Sequence, residues 1–315
     1  MRVRHVSQSV RVSVVIAVDD AESHLQQAVL SALASDIPEL EVLVVDNGSL
    51  DRSAVVIGRV RDSRLVRVRL RPGQGSARTR NVGIARARAP YVAFLDPDAL
   101  LKPDSLSAAV SALNAYPAAG FAFADFERVD EGGNPIQPSG MACFSGFRSV
   151  TTEPVEGSWF LIRQPHLARG LLYENFLETS GAVVRRQLFT AIGPFAEEAA
   201  CCADLDLWFR LAHSCDALYS SGISHSRRGG ATGYAAMSRV ASEECNAVLR
   251  REKDRWNERS VRRLLDRRIA ENLAHVAYQE RRHRHRLRSS AMFAYAFATY
   301  PEIRWLAGML GSIVR

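Results

Sequence analysis

The chain has 315 residues, 47% of them hydrophobic and 24% charged, and a formal charge of +7. These values exclude a disulfide-stapled mini-protein, a disordered chain and a fibrous one, and fit one large globular domain with or without an appendage. The charge is uneven: residues 1–235 carry 24 basic and 25 acidic side chains, and residues 236–290 carry 15 and 8. The body is therefore near neutral, and the basic excess belongs to one late segment.

Residues 12–18 (VSVVIAV) are a continuous apolar, β-branched run, which reads as a buried parallel strand stopped by Asp19 and Asp20. Leu25, Val29 and Leu33 then recur at helical spacing. Residues 41–45 predict a second buried strand, broken by Asp46-Asn47-Gly48-Ser49, and residues 52–61 a helix. Residues 65–70 (LVRVRL) alternate as a half-exposed strand, residues 73–75 form a Gly-rich loop, and residues 76–87 a helix. A third buried strand, YVAFL at 91–95, runs into Asp96-Pro97-Asp98. A helix follows over 106–113 and a strand over 120–129. Residues 154–172 read as irregular, residues 176–184 as a strand or its approach, and residues 186–192 as a short helix. Residues 204–213 (DLDLWFRLAH) place Leu207, Trp208 and Leu211 on one helical face. From 236 onward the pattern is helical and Arg-rich: one helix to about residue 256, a second over 260–288, and a last apolar pair split by Pro301.

Alternating strands and helices over the first ~130 residues imply a mostly parallel α/β sheet, whose ligands bind outside the carboxyl ends of the strands. Three such ends carry Asp19/Asp20, Asp46 and Asp96/Asp98. An acidic cluster is the opposite of a P-loop, and acids that face a phosphorylated ligand need a divalent cation between them. Five cysteines without a CxxC pair predict neither a disulfide framework nor a structural zinc site. The adjacent Cys201 and Cys202 lack a neighbouring His and read as small buried hydrophobes. The amino terminus lacks a signal-peptide pattern, and no run reaches the ~20 apolar residues of a membrane span. The expectation is a cytoplasmic protein.

Read in order, VSVVIAVDD, VVDNGSLDRS, SARTRNVGIARARAPYVAFLDPDALL, FADFERVDEGGNPI, LETSGAVVRRQLFTAIGPFAEE and ADLDLWFRLA resemble the successive motifs of a family 2 glycosyltransferase. The likeness covers roughly residues 12–230. It implies a GT-A fold, mostly parallel and Rossmann-like, over 12–235, preceded by a tail at 1–11 and followed by a basic helical region at 236–315. It also implies inverting transfer of a sugar from a nucleotide-diphosphate donor to a hydroxyl acceptor, such as an envelope polysaccharide, a glycolipid or a small glycoside.

The leaving diphosphate needs a cationic stabiliser, and hard carboxylates at a strand end suit Mg²⁺ or Mn²⁺. By resemblance, Asp98 is the direct metal ligand, with Asp96 beside it contacting the sugar or ribose. The same resemblance places Val18, Asp20, Asp46 and Asn47 in the nucleotide loop, with Asp46 and Asn47 on the base or ribose; the alternative for Asp46 is an Asx-turn around Gly48. Arg80 either neutralises phosphate or is a solvated helix arginine. The acceptor hydroxyl needs a base. The family places it as the second acid of a Glu-Asp pair, matched here by Ala203 and Asp204, so Asp204 is the candidate. Its alternative is capping and dipole stabilisation, as for the neighbouring Asp206.

Three departures stand out. Asp19 replaces a base-stacking aromatic, Ala99 replaces a third acid, and Arg228 stands where the family has a His. Arg228 cannot ligate a metal but can hold a diphosphate oxygen. His225 is either a substitute ligand or a solvated loop residue. These departures keep open a catalytically weak donor-binding or scaffold relative. A nucleotidyltransferase would carry a Gly-rich basic loop after the first strand, and none is present. The run RRHRHRLR at 281–288, followed by an aromatic-rich stretch, reads either as an anionic-membrane contact or as a solvated face packed on the body. It carries no recognised nucleic-acid motif.

Overall fold

The computed structural model describes residues 10–199, 201–229 and 238–313. The amino-terminal tail, up to residue 9, and the expected 235/236 boundary lie outside the described residues. In chain order the elements are β1 (Val12–Val18), α1 (Leu25–Leu33), β2 (Leu40–Asp46), α2 (Ser53–Arg59), β3 (Leu65–Arg69), α3 (Ser76–Arg86), β4 (Tyr91–Phe94), β5 (Ala99–Leu101), α4 (Ser105–Ala115), β6 (Ala119–Val129) and β7 (Pro135–Gln137). After a 3₁₀ turn come α5 (Ser145–Arg148), β8 (Glu153–Pro154), β9 (Trp159–Ile162), α6 (His166–Leu171), β10 (Val183–Arg185), α7 (Gln187–Ile192), α8 (Ala203–Ser214) and β11 (Asp216–Arg228). Four helices close the chain: α9 (Arg239–Arg255), α10 (Arg259–Arg282), α11 (Arg286–Thr299) and α12 (Ile303–Ile313).

The strands form one sheet in the order β3-β2-β1-β4-β10-β6-β11-β9-β8, with β5 paired to β11 and β7 to β6. Strands β3, β2, β1 and β4 run parallel, β6 and β11 share their direction, and β10 is inserted antiparallel between β4 and β6. The β-branched runs explain the centre: β2 is buried throughout and β1 nearly so, as a strand covered on both faces must be. Helix α3 sits close on β1 because Gly83 lacks a side chain. A Cβ there would come within 2.3 Å of Val15 Cγ1. One face of the sheet packs on α1 and α4, and the other carries α8, whose Trp208 is fully buried and stacks on Phe121.

The GT-A-type α/β sheet with a carboxyl-terminal helical region is as expected. Four local readings change. Residues 154–172 are not irregular, because β9 finds a partner in the edge of β11 and α6 follows it. The strand expected over 176–184 is confined to β10, and the residues before it form a loop. The helix expected over 260–288 stops at Arg282 and restarts at Arg286, with Arg284 at φ +65° in the turn. Cys202 and Cys245 are disulfide-bonded, whereas Cys143, Cys201 and Cys215 are free. Cys202 is buried as expected, but it ties the start of α8 to α9 instead of merely filling space.

The late helices are docked firmly on the body. Arg251 on α9 donates to Asp206 at 2.7 Å, Arg169 pairs with Glu258 and covers the Trp256 ring at 4.9 Å, and Arg268 donates to the Leu171 carbonyl. No helix among the described residues is long and apolar enough to cross a membrane.

Candidate functional site

Parallel register brings the carboxyl ends of β1, β2 and β4 together: Val18 pairs with Asp46, and Leu95 donates its N–H to the Val15 carbonyl at 3.1 Å. At this edge the first loop is held by its own polar side chains. Asp46 accepts from the Ser49 N–H at 2.7 Å and faces Arg69 at 3.6 Å. The Asn47 amide donates to Asp19 at 3.0 Å and accepts from the Gln74 N–H at 2.9 Å. Asp20, at φ +48°, accepts the Leu50 and Asp51 N–H groups. Val18 is buried, and its carbonyl accepts from the Asn47 N–H at 2.8 Å. These residues gather as a rigid cup, with the exposed Asp19 carboxylate on its surface.

The second group lies beyond β4. Arg80 donates to Asp96 at 3.0 Å, and the Asp96 N–H donates to Ser180 Oγ at 2.9 Å. Burial opposes the Asp96 charge, but the guanidinium groups of Arg80 and Arg227 outweigh it and hold the carboxyl below its ordinary range. Asp98 is pushed the other way, up, by burial and by the neighbouring Asp96. Its side chain is 40% exposed and, among the described residues, its ion pair is a long 3.8 Å contact with Arg227 Nε. Arg227 also pairs with Glu178, whose own carboxyl is pushed up by burial. The Arg228 N–H donates to the Asp98 carbonyl at 3.1 Å. One Arg228 guanidinium nitrogen donates to Gln27, while Nε and Nη1 are buried without a hydrogen-bond partner among the described residues.

Asp204 stands in the first turn of α8. Its two oxygens accept from the Asn175 side chain at 2.9 Å and the Leu205 N–H at 2.8 Å. Burial pushes its carboxyl above the ordinary range, against the nearby charge of Arg80. A desolvated carboxylate with a raised affinity for protons is the property a general base needs. Asp206 is a different case, since it is consumed by ion pairs with Arg210 and Arg251.

The family model for glycosyl transferase family 2 matches residues 13–191, more than half of the chain. The chain belongs to glycosyl transferase family 2. Among curated relatives, an uncharacterized glycosyltransferase of Haemophilus influenzae is 34% identical over 97 residues, covering 30% of this chain and 39% of that protein. The succinoglycan biosynthesis protein ExoO of Rhizobium meliloti is 34% identical over 95 residues (30% and 27%). The Escherichia coli UDP-Glc:α-D-GlcNAc-diphosphoundecaprenol β-1,3-glucosyltransferase WfaP is 31% identical over 87 residues (28% and 35%). The chain thus matches well under half the length of these relatives. Among solved structures, S. aureus TarS 1–349 in complex with UDP-GlcNAc superposes with a TM-score of 0.63 at 16% identity, covering 96% of this chain and 89% of that one. That likeness extends the shared fold across the late helices.

Within this family 2 member, the structure brings Arg80, Asp96, Asp98 and Arg228 to one edge with Asp204 nearby, and sets Val18, Asp20, Asp46 and Asn47 in the adjoining cup. Arg80 is not a solvated helix residue, because it is largely buried against Asp96. His225 is neither solvated nor a surface ligand. It is fully buried, stacked on Phe126 at 5.4 Å, with Nδ1 2.9 Å from Ser224 Oγ. Sequence reasoning missed Asn175, Glu178 and Arg227. The acid in LETSG and the first arginine of SRR were visible, but only the loop before β10 and the end of β11 set Glu178 on Arg227 and Arg227 beside Asp98.

Proposed function

We propose that the chain transfers a glycosyl group from a nucleotide-diphosphate sugar to a hydroxyl acceptor, inverting the anomeric centre. The observation that carries this reading is the pairing, at one sheet edge, of a weakly engaged Asp98 with a desolvated Asp204. Asp204 takes the acceptor proton as the acceptor oxygen bonds to the anomeric carbon. The bond to the diphosphate oxygen breaks on the opposite face, and its electron pair leaves with the diphosphate. A single displacement of this kind needs one base and no second nucleophilic carboxylate. Arg227, which faces Asp98, and Arg228 bring two cations to the end of β11, which suits the charge of a departing diphosphate. The cup around Asp46 and Asn47 suits the nucleoside, with Asp19 offering an acceptor to a base N–H instead of a stacking ring.

Among the described residues no group of three or more His, Cys, Asp or Glu side chains forms a metal cage. The donor set fits a metal that takes one carboxylate from the protein and the rest from phosphates and water, a usual arrangement for Mg²⁺. Asp98 fits that role better than Asp96, whose carboxylate already pairs with Arg80. Bound there, Mg²⁺ or Mn²⁺ would neutralise charge on the departing diphosphate. The test is titration of UDP, GDP and their sugars with and without Mn²⁺, followed by transfer assays. Asp204→Asn is expected to keep donor affinity and lose about 10²–10⁴ in rate. The wild-type rate is expected to fall on acidification at a pH above the ordinary carboxylate range, since the raised Asp204 must be ionised. Full activity in Asp204→Asn overturns the base assignment, and donor binding without any turnover favours the catalytically weak relative.

The basic segment supports peripheral association with an anionic membrane. Residues 282–288 are exposed, with Leu287 86% exposed among the arginines. The α12 stripe of Ile303, Leu306 and Leu310 also faces solvent. The carboxyl end of α12 meets the turn between α10 and α11, where the Arg281 guanidinium abuts Gly311 and Ser289 Oγ lies 2.9 Å from Ser312 Oγ. An envelope or lipid-linked acceptor, of the kind named for WfaP, is consistent with that position.

A further inference from the structure

At the carboxyl edge of the sheet, Glu178 is a largely buried acid that the transfer step does not use. It precedes β10 in a stretch wedged between two strand ends. Ser180 Oγ accepts the Asp96 N–H at 2.9 Å, and the Gly181 N–H donates to the Phe94 carbonyl at 3.0 Å. On its other side Gly181, at φ +77°, lies so close to β11 that a Cβ would come within 2.6 Å of Ser224 Oγ. Thr179 and Ser180 are buried. The Glu178 side chain is thereby held between the turn at 96–98 and the end of β11. It pairs with Arg227 Nη1, whereas Arg227 Nε stands 3.8 Å from Asp98 Oδ2. That second distance is well beyond the ~2.7–2.9 Å of a charge-assisted hydrogen bond. Burial, with the charges of Asp96 and Asp204, pushes the Glu178 carboxyl up, and Arg227 opposes them. One guanidinium thus faces two carboxylates, and Glu178 holds it.

We propose that Glu178 is a positioning residue that acts through Arg227: it draws the guanidinium off Asp98 and leaves that carboxylate open to a divalent cation. The inference rests on the metal-assisted transferase reading and adds the residue that keeps its metal ligand free. A guanidinium and a hard cation compete for the same carboxylate oxygens, and a bidentate arginine pair engages both of them. Asp96 shows the closed arrangement, since Arg80 donates to it at 3.0 Å. Glu178 also offsets one positive charge that would repel a cation at Asp98. Without its carboxylate, Arg227 keeps its charge, and Asp98 is the neighbouring acid left to take it.

Calorimetry of the full chain with UDP and with GDP, each with and without Mn²⁺, tests this through the factor by which Mn²⁺ tightens the nucleotide. The wild type is expected to gain about tenfold or more. Glu178→Gln is expected to lose most of that gain without weaker binding of the metal-free nucleotide. Glu178→Gln combined with Arg227→Gln is expected to restore the gain, because the competing cation is gone, whereas a merely structural role for Glu178 would not be restored that way. The double variant also leaves no buried charge without its partner, so it carries the test if Glu178→Gln alone fails to fold. In transfer assays Glu178→Gln is expected to raise the Mn²⁺ concentration for half-maximal rate about tenfold. A wild-type gain that Glu178→Gln keeps, or one that the folded double variant has lost, overturns the positioning role alone. Nucleotide binding that Mn²⁺ does not tighten in the wild type overturns the metal-assisted reading, and the role of Glu178 with it.

Discussion

At His225 two sequence readings, metal ligand or solvated loop residue, both give way to burial. Burial lowers its pKa from the ordinary 6.5 to about 4, so the ring stays neutral near pH 7. The unfolded chain takes up a proton near pH 6.5 that the folded chain refuses until about 4. The ring's contribution to stability is therefore complete above 6.5 and is lost as pH falls from 6.5 toward 4, by at most about 3 kcal/mol. Denaturant midpoints across that window are expected to fall in the wild type, and His225→Gln is expected to flatten that limb. Asp204 shows the same physics with the opposite sign, because burial there keeps a carboxyl protonated to higher pH. In sequence the two residues are a histidine near the end of a motif and an acid at a helix start. Neither string reveals that the side chain loses its water.

At the scale of elements, the turn after β2 is the most exacting. Gly48 sits at φ +80°, and a Cβ there would come within 2.5 Å of the Pro72 backbone nitrogen. Gly48→Ala is expected to cost about 1–3 kcal/mol and to weaken UDP binding, since Asn47 and Ser49 flank it. A thermal melt and calorimetry check the two effects together. The buried strands were legible because continuous β-branched runs have no other comfortable home in a sheet covered on both faces. Strand β9 was not, because its four residues are held by the β11 edge more than by their own pattern. The break between α10 and α11 was hidden for a related reason. A run of arginines and histidines carries no apolar period, so nothing in it marks where the chain must turn for α11 to fold back on α10.

At the scale of the whole molecule, the net positive charge belongs to the docked late helices, and its exposed run of arginines lies at the turn between α10 and α11. Arginines near an anionic surface contribute about 1 kcal/mol each, and the exposed Leu287 adds insertion. Sedimentation with phosphatidylglycerol-rich vesicles is expected to carry the full chain down at low salt. Phosphatidylcholine vesicles or high salt are expected to leave it in solution. Arg282→Glu combined with Arg286→Glu is expected to weaken binding at least tenfold without altering donor affinity, because both side chains are exposed and far along the chain from the sheet edge. Failure to sediment with the anionic vesicles at low salt would leave the basic run as a solvated face.

The order and spacing of motifs determined the family, the α/β sheet and the edge at which ligands bind, since each follows from local pattern and from the rule that parallel strands open their carboxyl ends to ligand. The candidate metal carboxylate and base were legible for the same reason: each lies at the end of a recognisable element. Tertiary structure alone decided the electrostatics among them. It set Arg80 against Asp96, Arg227 between Asp98 and Glu178, and Asn175 on Asp204, and it bonded Cys202 to Cys245 across the base of α8. Those partners come from strands, helices and loops 16 to 129 residues apart, and no local pattern encodes which long-range neighbours a folded sheet brings within reach of one another.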